Sequence, residues 1–488
     1  MPKHILAIDA GTTGVTALII DEQGKTVGKG YQEFEQHFPQ PGWVEHDPEQ
    51  IWQATLEATK TAIDQAKQEP DCIGITNQRE TVVLWNRDDL KAPTRAIVWQ
   101  DRRTANLLDE AKFQKNAAAV QEITGLKLDP YFSSSKLLWI KRNLPEIWNQ
   151  VEAGRVAVGT VDSYLIARLT GGRAHVTDAS NASRTQLCDI RTATWHPQLL
   201  ELFEVPESAL PKIVPSIGEV AKTYPFAFFN LEIPITGIAG DQQAALFGQF
   251  AFEPGEAKCT YGTGAFLLQN TGEVLANAKD YGLLNTIAWQ AQNGKLTYAI
   301  EGSVFVAGAA VQWLRDNLQI IEKSSDIEPL ARQVADSAGV VFVPALAGLG
   351  APHWNPIATG TITGITRGTN KAHLARATLE GIAWQVTEVF EAMAQSTKTK
   401  ISKLKVDGGA SANQLLLEIQ ATQLDAEVLR PRNLESTSLG AAYLAGLGAG
   451  IFASQEALKQ LNPIQTVVSP NRKLKLDREI WNSAVSKS

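Results

Sequence analysis

"HILAIDAGTTGVTALIID", residues 4–21, sets two apolar runs around a short turn that holds two glycines and two threonines. Apolar at nearly every position, each run reads as a strand buried on both faces. The turn has two readings. It is a tight hairpin, or it is a loop built for an anion. Glycines let backbone N–H groups approach a ligand, successive N–H groups form a nest, and threonine hydroxyls add donors without charge. Asp9 sits at the end of the first run, and the next polar position is Thr16, with no cation in the stretch.

Outward from this turn, "VGKGYQEF" (27–34) reads as a third strand after Gln23-Gly24-Lys25. Asp47, Pro48 and Gln50 then mark a helix start close to a capping box, and the helix runs through "IWQATLEATKTAIDQA". "CIGIT" (72–76), "VAVG" (156–159) before a helix from Val161, and "IPITGIAG" (233–240) continue an alternation of strand and helix, which defines an α/β fold. The scheme restarts in "AKCTYGTGAFLLQN" (257–270), and "LKVDGGASANQLLLEIQATQL" (404–424) reads as strand, glycine turn and helix before the strand "AEVLRP". Either two similar glycine hairpins recur by coincidence, or the chain has two lobes facing a cleft. A boundary near Phe252-Glu253-Pro254-Gly255 suits the second reading and divides the chain into 1–250 and 251–488.

The bulk properties narrow the class. At 488 residues, 44% hydrophobic and 20% charged, the chain has room for two or three domains with a sizeable core. A net charge of −7 argues against a general nucleic-acid binder. Met1-Pro2-Lys3-His4 leads straight into the first strand without a signal-peptide core, and the longest apolar stretch, near Val304–Leu314, is too short to span a bilayer. Cys72, Cys188 and Cys259 lie far apart without metal-ligand spacing, which suits a reducing compartment. The expectation is a cytoplasmic enzyme without stable membrane association or a nucleic-acid partner.

The familiar nucleotide loops fail. Gly24-Lys25-Thr26 ends like a P-loop, but Ile19 stands where its first glycine belongs. "GLGAGI" (446–451) lacks the third glycine of a dinucleotide fingerprint and reads better as small-residue helix packing. What remains is a set of glycine-and-hydroxyl turns at strand ends: Gly11-Thr12-Thr13-Gly14, Gly262-Thr263-Gly264 and Gly408-Gly409-Ala410-Ser411. Any one of them alone is more simply a hairpin; three together point to phosphate.

Two acids stand out. Asp9 ends a strand where a magnesium ion held through waters would sit beside a nucleotide's phosphates. Asp241 follows a buried strand at a helix start, as an N-cap, as a group placed for chemistry, or as both. Arg79 and Glu80 also follow a buried strand at once. An adjacent opposite-charge pair is commonly a solvated turn; the alternative is a clamp for a small polyol, because Arg donates to hydroxyls and Glu accepts from them. Trp99 and Phe266 are either core or a surface for a carbon skeleton.

Assembled, these stretches resemble the FGGY carbohydrate kinases over roughly residues 4–460. "YFSSSKLLWIKRN" (131–143) and "GTITGITRGTNKAHLARATLE" (360–380) are similar to the family's two general signatures. "NQRET" (77–81), "DPYFS" (129–133) and "GDQQAALFGQ" (240–249) are more specific to members that act on glycerol. The resemblance implies an actin-like ATPase fold of two ribonuclease-H-like domains flanking a catalytic cleft, with ATP, Mg²⁺ and glycerol as ligands and a homodimer or homotetramer as the assembly. It assigns Arg79, Glu80, Tyr131, Asp241 and Gln242 to the glycerol hydroxyls and Trp99 and Phe266 to its carbon side. It places Thr12, Thr13, Gly14, Thr263, Gly308, Gln312, Gly409 and Asn413 around the nucleotide. Asp9 and Asp241 would surround the magnesium, and Asp241 would accept the proton of the attacking hydroxyl. A kinase for another small polyol or ketose, and a catalytically silent actin-like sensor, are the alternatives.

The chain also departs from that pattern. Gly14-Val15-Thr16 stands where members acting on glycerol carry Ser-Ser-Arg, so an arginine near the phosphates is missing. "YPFAFFNLEIPI" (224–235) lacks the Gly-Lys-Gly-Gly-Thr-Arg loop with which some bacterial members bind fructose 1,6-bisphosphate. The C-terminal residues 469–488 show no clear counterpart of the surface that meets a sugar-phosphotransferase regulator.

Overall fold

The computed structural model describes residues 2–474 and 476–488. The opening stretch forms β1 (His4–Ala10) and β2 (Gly14–Asp21), an antiparallel pair in which Asp9 faces Thr16. Nearly every residue of both is buried, because the sheet is covered on both faces. β3 (Thr26–Glu33) adds the third strand of the meander. β4 (Cys72–Asn77) runs parallel to β1 on its other side, followed by β6 (Pro234–Gly240) and the edge strand β5 (Ile217–Lys222), in the order β5-β6-β4-β1-β2-β3.

The second half repeats this plan. β7 (Ala257–Tyr261) and β8 (Ala265–Gly272) form the hairpin, and β9 (Leu284–Gln290) and β10 (Leu296–Val304) extend it. β11 (Lys403–Asp407) lies parallel to β7, with β12 (Glu427–Pro431) and β13 (Ile464–Val468) beyond, in the order β9-β10-β8-β7-β11-β12-β13. Each sheet thus has an antiparallel meander on one side of its first strand and, on the other, two parallel strands closed by an antiparallel edge strand.

Helix α1 (Pro48–Ala66) starts as its sequence requires: Asp47 caps it by accepting from Glu49 N, and Pro48 opens it. Its backbone lies against β3, where a Cβ at Gly28 or Gly30 would meet the carbonyls of Ala62 and Ala58 at 2.1 and 2.0 Å. Helices α2 (Ser133–Asn143) and α3 (Val161–Leu169) also belong to the first lobe, and α4 (Asp241–Gly248) follows β6. In the second half lie α5 (Gly308–Asp316), α6 (Lys371–Thr397), α7 (Gln414–Leu424) and α8 (Ser436–Gly448).

Helix α8 joins the lobes. It packs on the first sheet, where Cβ atoms at Gly74 and Gly237 would meet Ala441 O at 2.1 Å and Ala445 N at 2.4 Å. It also crosses α4 backbone to backbone at Gly440 and Gly248. The small residues of "GLGAGI" serve packing here, with a Cβ at Gly446 falling 2.4 Å from the Phe452 ring. Val156–Gly159 differs from the expected alternation: it pairs antiparallel with Val83–Asn86 in a separate two-stranded sheet. Its apolar residues fill a satellite core with α2 instead of extending the main sheet. No helix among the described residues is long and apolar enough to cross a membrane.

Candidate active site

Three parallel strands, β1, β4 and β6, end side by side, with Asp9 opposite Thr76 and Asn77 opposite Gly240. Their carboxyl ends therefore deliver Asp9, the Arg79–Glu80 pair and Asp241 to one edge of the sheet, the usual place for chemistry in an α/β protein. Arg79 and Glu80 are not a solvated turn: they are 2% and 1% exposed. Thr81 N bonds back to Arg79 O at 2.7 Å around Glu80, which holds φ at 62°. A tight turn with a left-handed glutamate is strained, and Ser133 Oγ helps hold it by donating to the Glu80 carbonyl at 2.9 Å.

The pair belongs to a buried charge network. Arg79 grips Glu301 with both terminal nitrogens, at 2.5 and 3.0 Å, and its Nε lies 3.1 Å from Asp241 Oδ1. Arg184 donates to Glu80 at 2.7 Å and to Glu301 at 3.1 Å. Burial alone would push Glu301 up, but Arg184 and Arg79 outweigh it and hold its carboxyl at about 2. Burial dominates at Glu80 and raises it against the pull of both arginines. Glu301 comes from β10, so the network spans the two lobes. Neither Arg184 nor Glu301 is marked by any local sequence pattern, since their partners lie more than 100 positions away.

Asp241 is the first residue of α4, and Gly240 takes the N-cap position expected of the acid. Gly240 has to be small there, since a Cβ would strike the Arg79 side chain at 2.7 Å. Asp241 Oδ1 accepts from Gln242 N at 2.7 Å and faces Arg79 Nε, so both contacts fall on one oxygen and leave Oδ2 for a hydroxyl. Gln242 points its Oε1 at Lys258, a buried ammonium pushed down by desolvation that also donates to Thr260 Oγ1 at 2.9 Å.

An aromatic wall faces these groups. Trp99 meets Tyr131 edge-on with ring centroids 5.6 Å apart and Phe266 at 6.2 Å. The Tyr131 phenol is raised, burial being the main cause, and stays a donor. Its loop is tied down by Lys136, whose buried ammonium donates to the carbonyls of Pro130, Tyr131 and Phe132 at 2.5, 2.9 and 3.2 Å. The wall also reaches the Gly11–Gly14 turn, because Trp99 Nε1 donates to Thr12 Oγ1 at 3.0 Å.

The expected nucleotide residues sit on the second lobe's turns. Thr263 is exposed between Gly262 and Gly264, and the amides of Ala307, Gly308 and Ala309 at the start of α5 donate to the carbonyls of Thr263 and Gly262. Gln312 is exposed one turn into α5. Gly409 is exposed with open space around it after Gly408, whose φ is 82°. Asn413 has a structural duty that the sequence reading did not assign: it caps α7, accepting from Leu416 N at 2.9 Å. That leaves its side-chain NH₂ for a ligand. On the first lobe Thr13 is exposed, Thr12 half-buried and Gly14 buried against Tyr31.

Asp9 accepts from Ser438 Oγ of α8 at 2.9 Å. Burial pushes its carboxyl up to about 7, Ser438 opposes this, and Asp241 and Glu435 add to it. No cluster of three His, Cys, Asp or Glu side chains that could hold a metal occurs among the described residues. The donor set therefore fits an ion that arrives with phosphate oxygens and waters, the habit of Mg²⁺, and not a protein cage. A cavity of about 680 Å³ between Trp384, Trp481 and the Asp336–Val341 loop is lined by none of these residues.

Two matched lobes with glycine turns at their strand ends, and a buried carboxylate–guanidinium network between them, fit an actin-like phosphotransferase. The chain belongs to the FGGY family of carbohydrate kinases: the family's N-terminal domain matches residues 4–248 and its C-terminal domain residues 257–449. The chain is 50% identical to a glycerol kinase of Bdellovibrio bacteriovorus, over 98% of this chain and 95% of that one. It is also 50% identical to glycerol kinase 2 of Sulfolobus acidocaldarius, over 100% of this chain and 98% of that one. The crystal structure of Plasmodium falciparum glycerol kinase with ADP superposes with a TM-score of 0.91 at 36% identity, covering 100% of this chain and 98% of that one. A gluconate kinase from Lactobacillus acidophilus shares the fold, with a TM-score of 0.89 at 23% identity over 100% and 98% of the two chains.

Proposed function

We propose that the protein transfers the γ-phosphoryl group of ATP to a terminal hydroxyl of glycerol, giving sn-glycerol 3-phosphate for glycerol catabolism. The observation that carries this reading is the free Oδ2 of Asp241, set beside Arg79 and across from the Trp99–Tyr131–Phe266 wall. A pocket with one charged rim and one aromatic face suits a three-carbon polyol. Arg79 donates to its hydroxyls, Glu80 and Asp241 accept, Tyr131 and Gln242 complete the polar side, and Trp99 and Phe266 cover the carbons.

In the transfer, a substrate oxygen forms a bond to the γ-phosphorus as the bond from that phosphorus to the β,γ-bridging oxygen breaks. The hydroxyl proton passes to Asp241, which is general-base help worth about 10²–10⁴-fold. Because the transition state is loose, most of the remaining acceleration comes from position and charge. Thr12, Thr13 and Gly14 would meet the β- and γ-phosphates, and Thr263, Gly308, Gln312, Gly409 and Asn413 the rest of the nucleotide. Mg²⁺, held by Asp9 and Asp241 through water, would neutralise phosphate charge. In this reading residues 1–250 form the glycerol and phosphate lobe and 251–488 the nucleotide lobe. The enzyme would be cytoplasmic and act as a homodimer or homotetramer.

A coupled assay of ADP formation with and without Mg²⁺, followed by kcat/KM for glycerol, dihydroxyacetone, erythritol and xylulose, tests the reading. Glycerol is expected to lead; an alternative acceptor ahead of it by about tenfold, or 1.4 kcal/mol, would move the assignment to another member of the family. Binding of glycerol and ATP without product in a single turnover would mark a sensor.

A further inference from the structure

Behind the phosphate turn runs a closed ring of hydrogen bonds that the transfer described above does not use. Gln36 donates from Nε2 to the Thr12 carbonyl at 2.7 Å, and its Oε1 lies 2.8 Å from His46 Nε2. On the far side of the imidazole, Nδ1 lies 3.2 Å from Gln78 Nε2, which also donates to the Gly11 carbonyl at 2.9 Å. Gln78 Oε1 accepts from Thr81 Oγ1 at 2.8 Å, and Thr81 Oγ1 accepts from Trp99 N at 3.2 Å. Trp99 Nε1 then returns to Thr12 Oγ1 at 3.0 Å. The ring leaves the turn at the Thr12 carbonyl and comes back at the Thr12 hydroxyl. On the way it passes through the residues that flank Arg79–Glu80 and through the aromatic wall.

Chemistry fixes the polarity of this ring. An amide bonded to a carbonyl must offer its NH₂ there, so Gln36 turns Oε1 toward the imidazole. His46 therefore carries its proton on Nε2 and accepts from Gln78 at Nδ1. Only the neutral imidazole can do both. His46 is fully buried, and burial, with His37 beside it, pushes its pKa down to about 4. Its edge packs on Phe34, with ring centroids 5.0 Å apart.

We propose that His46 is a positioning residue for phosphoryl transfer: through Gln36 and Gln78 it locks the Gly11–Thr13 turn to the wall of the acceptor pocket. The transferring phosphate and the attacking hydroxyl are then held at one spacing by a single rigid ring. This rests on the kinase reading above. His46 touches neither reactant, so its effect is one of geometry, where a misplacement of about 1 Å can cost on the order of 10²-fold in rate.

His46→Phe keeps the ring volume and the contact with Phe34 and removes both hydrogen bonds. The expected result is a fall in kcat of at least about tenfold with KM for glycerol and MgATP within about threefold. Hydrogen exchange in the peptide spanning residues 9–16 should accelerate in the same folded variant. Gln36→Met, at the more accessible edge of the ring, should do the same, and the double variant should be no slower than the worse single one, since each opens the same ring. Unchanged kcat and unchanged exchange in both variants, or a loss confined to KM, would overturn the proposal. If His46→Phe fails to fold, Gln36→Met decides. If the wild-type protein forms no ADP in a glycerol-dependent way, the kinase reading fails instead, and exchange of residues 9–16 still decides whether His46 holds the turn.

Discussion

The first-lobe and second-lobe glycine turns share a plan and differ in span and equipment. Both join antiparallel strands and close through the amide of their first glycine, but Gly11 N reaches Gly14 O at 3.0 Å, three positions on, whereas Gly262 N reaches Gly264 O at 2.9 Å, two positions on. Asp9 stands two residues before the first turn, and Thr260 takes that place before the second. The first turn is braced by side chains, those of Gln36, Gln78 and Trp99. The second is braced by backbone, the amides that open α5. Topology thus supplies a glycine turn twice, while Asp9 and Asp241, the acids proposed to handle a cation and a proton, gather on one side only.

The largest effect should come from breaking that asymmetry where the chemistry lies. Asp241→Asn is expected to lower kcat by about 10² or more, with a thermal midpoint close to wild type because the side chain is partly exposed and does not cap α4. Thr263→Ala, on the second turn, should instead raise the KM for ATP and change kcat less. Equal losses of kcat in the two variants would erase the distinction between the turns.

Asp9 sharpens the contrast through pH. With its carboxyl raised to about 7, the group is protonated below that pH and offers a cation little, and it is ionised above it. Mg²⁺-dependent binding of ADP should therefore tighten as pH rises toward 7, by up to about tenfold per pH unit from this group, and level off above. Calorimetry from pH 6 to 8 checks this, against Asp9→Asn as the control. That variant should bind Mg²⁺–ADP more weakly and lose Asp9's share of the slope; a slope unchanged in Asp9→Asn would assign it to the nucleotide alone.

The two turns place the same demand on a methyl group. A Cβ at Gly264 would lie 2.5 Å from the Val304 carbonyl and one at Gly14 2.6 Å from the Gln32 carbonyl, backbone atoms that cannot step aside, whereas one at Gly11 meets Gly14 O at 3.3 Å and one at Gly262 meets Gly264 O at 3.8 Å. Gly264→Ala is expected to cost about 1–3 kcal/mol of stability in urea unfolding, and Gly11→Ala less. The reverse order would show that the opening glycine of a turn, and not the closing one, is the tighter fit.

Much of this contrast is legible in the residues themselves, because it rests on short-range pattern. Apolar runs beside glycine turns place β1, β2, β7 and β8, and Asp47-Pro48 places the start of α1. The charge network is different in kind. Arg79 pairs with Glu301 across 222 positions and Glu80 with Arg184 across 104, and no local periodicity marks such partners. The N-cap of α4 is not decided by the sequence for a related reason: Gly240 is required by the Arg79 side chain lying over it, which is a tertiary fact. His46 reads as an ordinary polar residue before a helix cap until the fold brings Gln36 and Gln78 to its two nitrogens.

The smallest predicted effect concerns the missing cation. Thr16 lies directly opposite Asp9 in the β1–β2 register, so the two side chains share a face with Cβ atoms about 5 Å apart. An arginine at this position would stand beside both Asp9 and the first turn, as a fixed positive charge; in the proposed function that charge falls to Mg²⁺ and backbone N–H groups. Thr16→Arg is therefore expected to tighten ADP binding by a few fold, about 1 kcal/mol or less for a partly exposed pair. The gain should be greater without Mg²⁺ than with it, since the guanidinium and the metal neutralise the same charge. It should also flatten the pH dependence seen in the wild type, because a neighbouring arginine pulls the Asp9 carboxyl back down. Unchanged or weakened binding in metal-free calorimetry would mean that the first turn's backbone already satisfies the phosphates, making the two turns more alike than their side chains suggest.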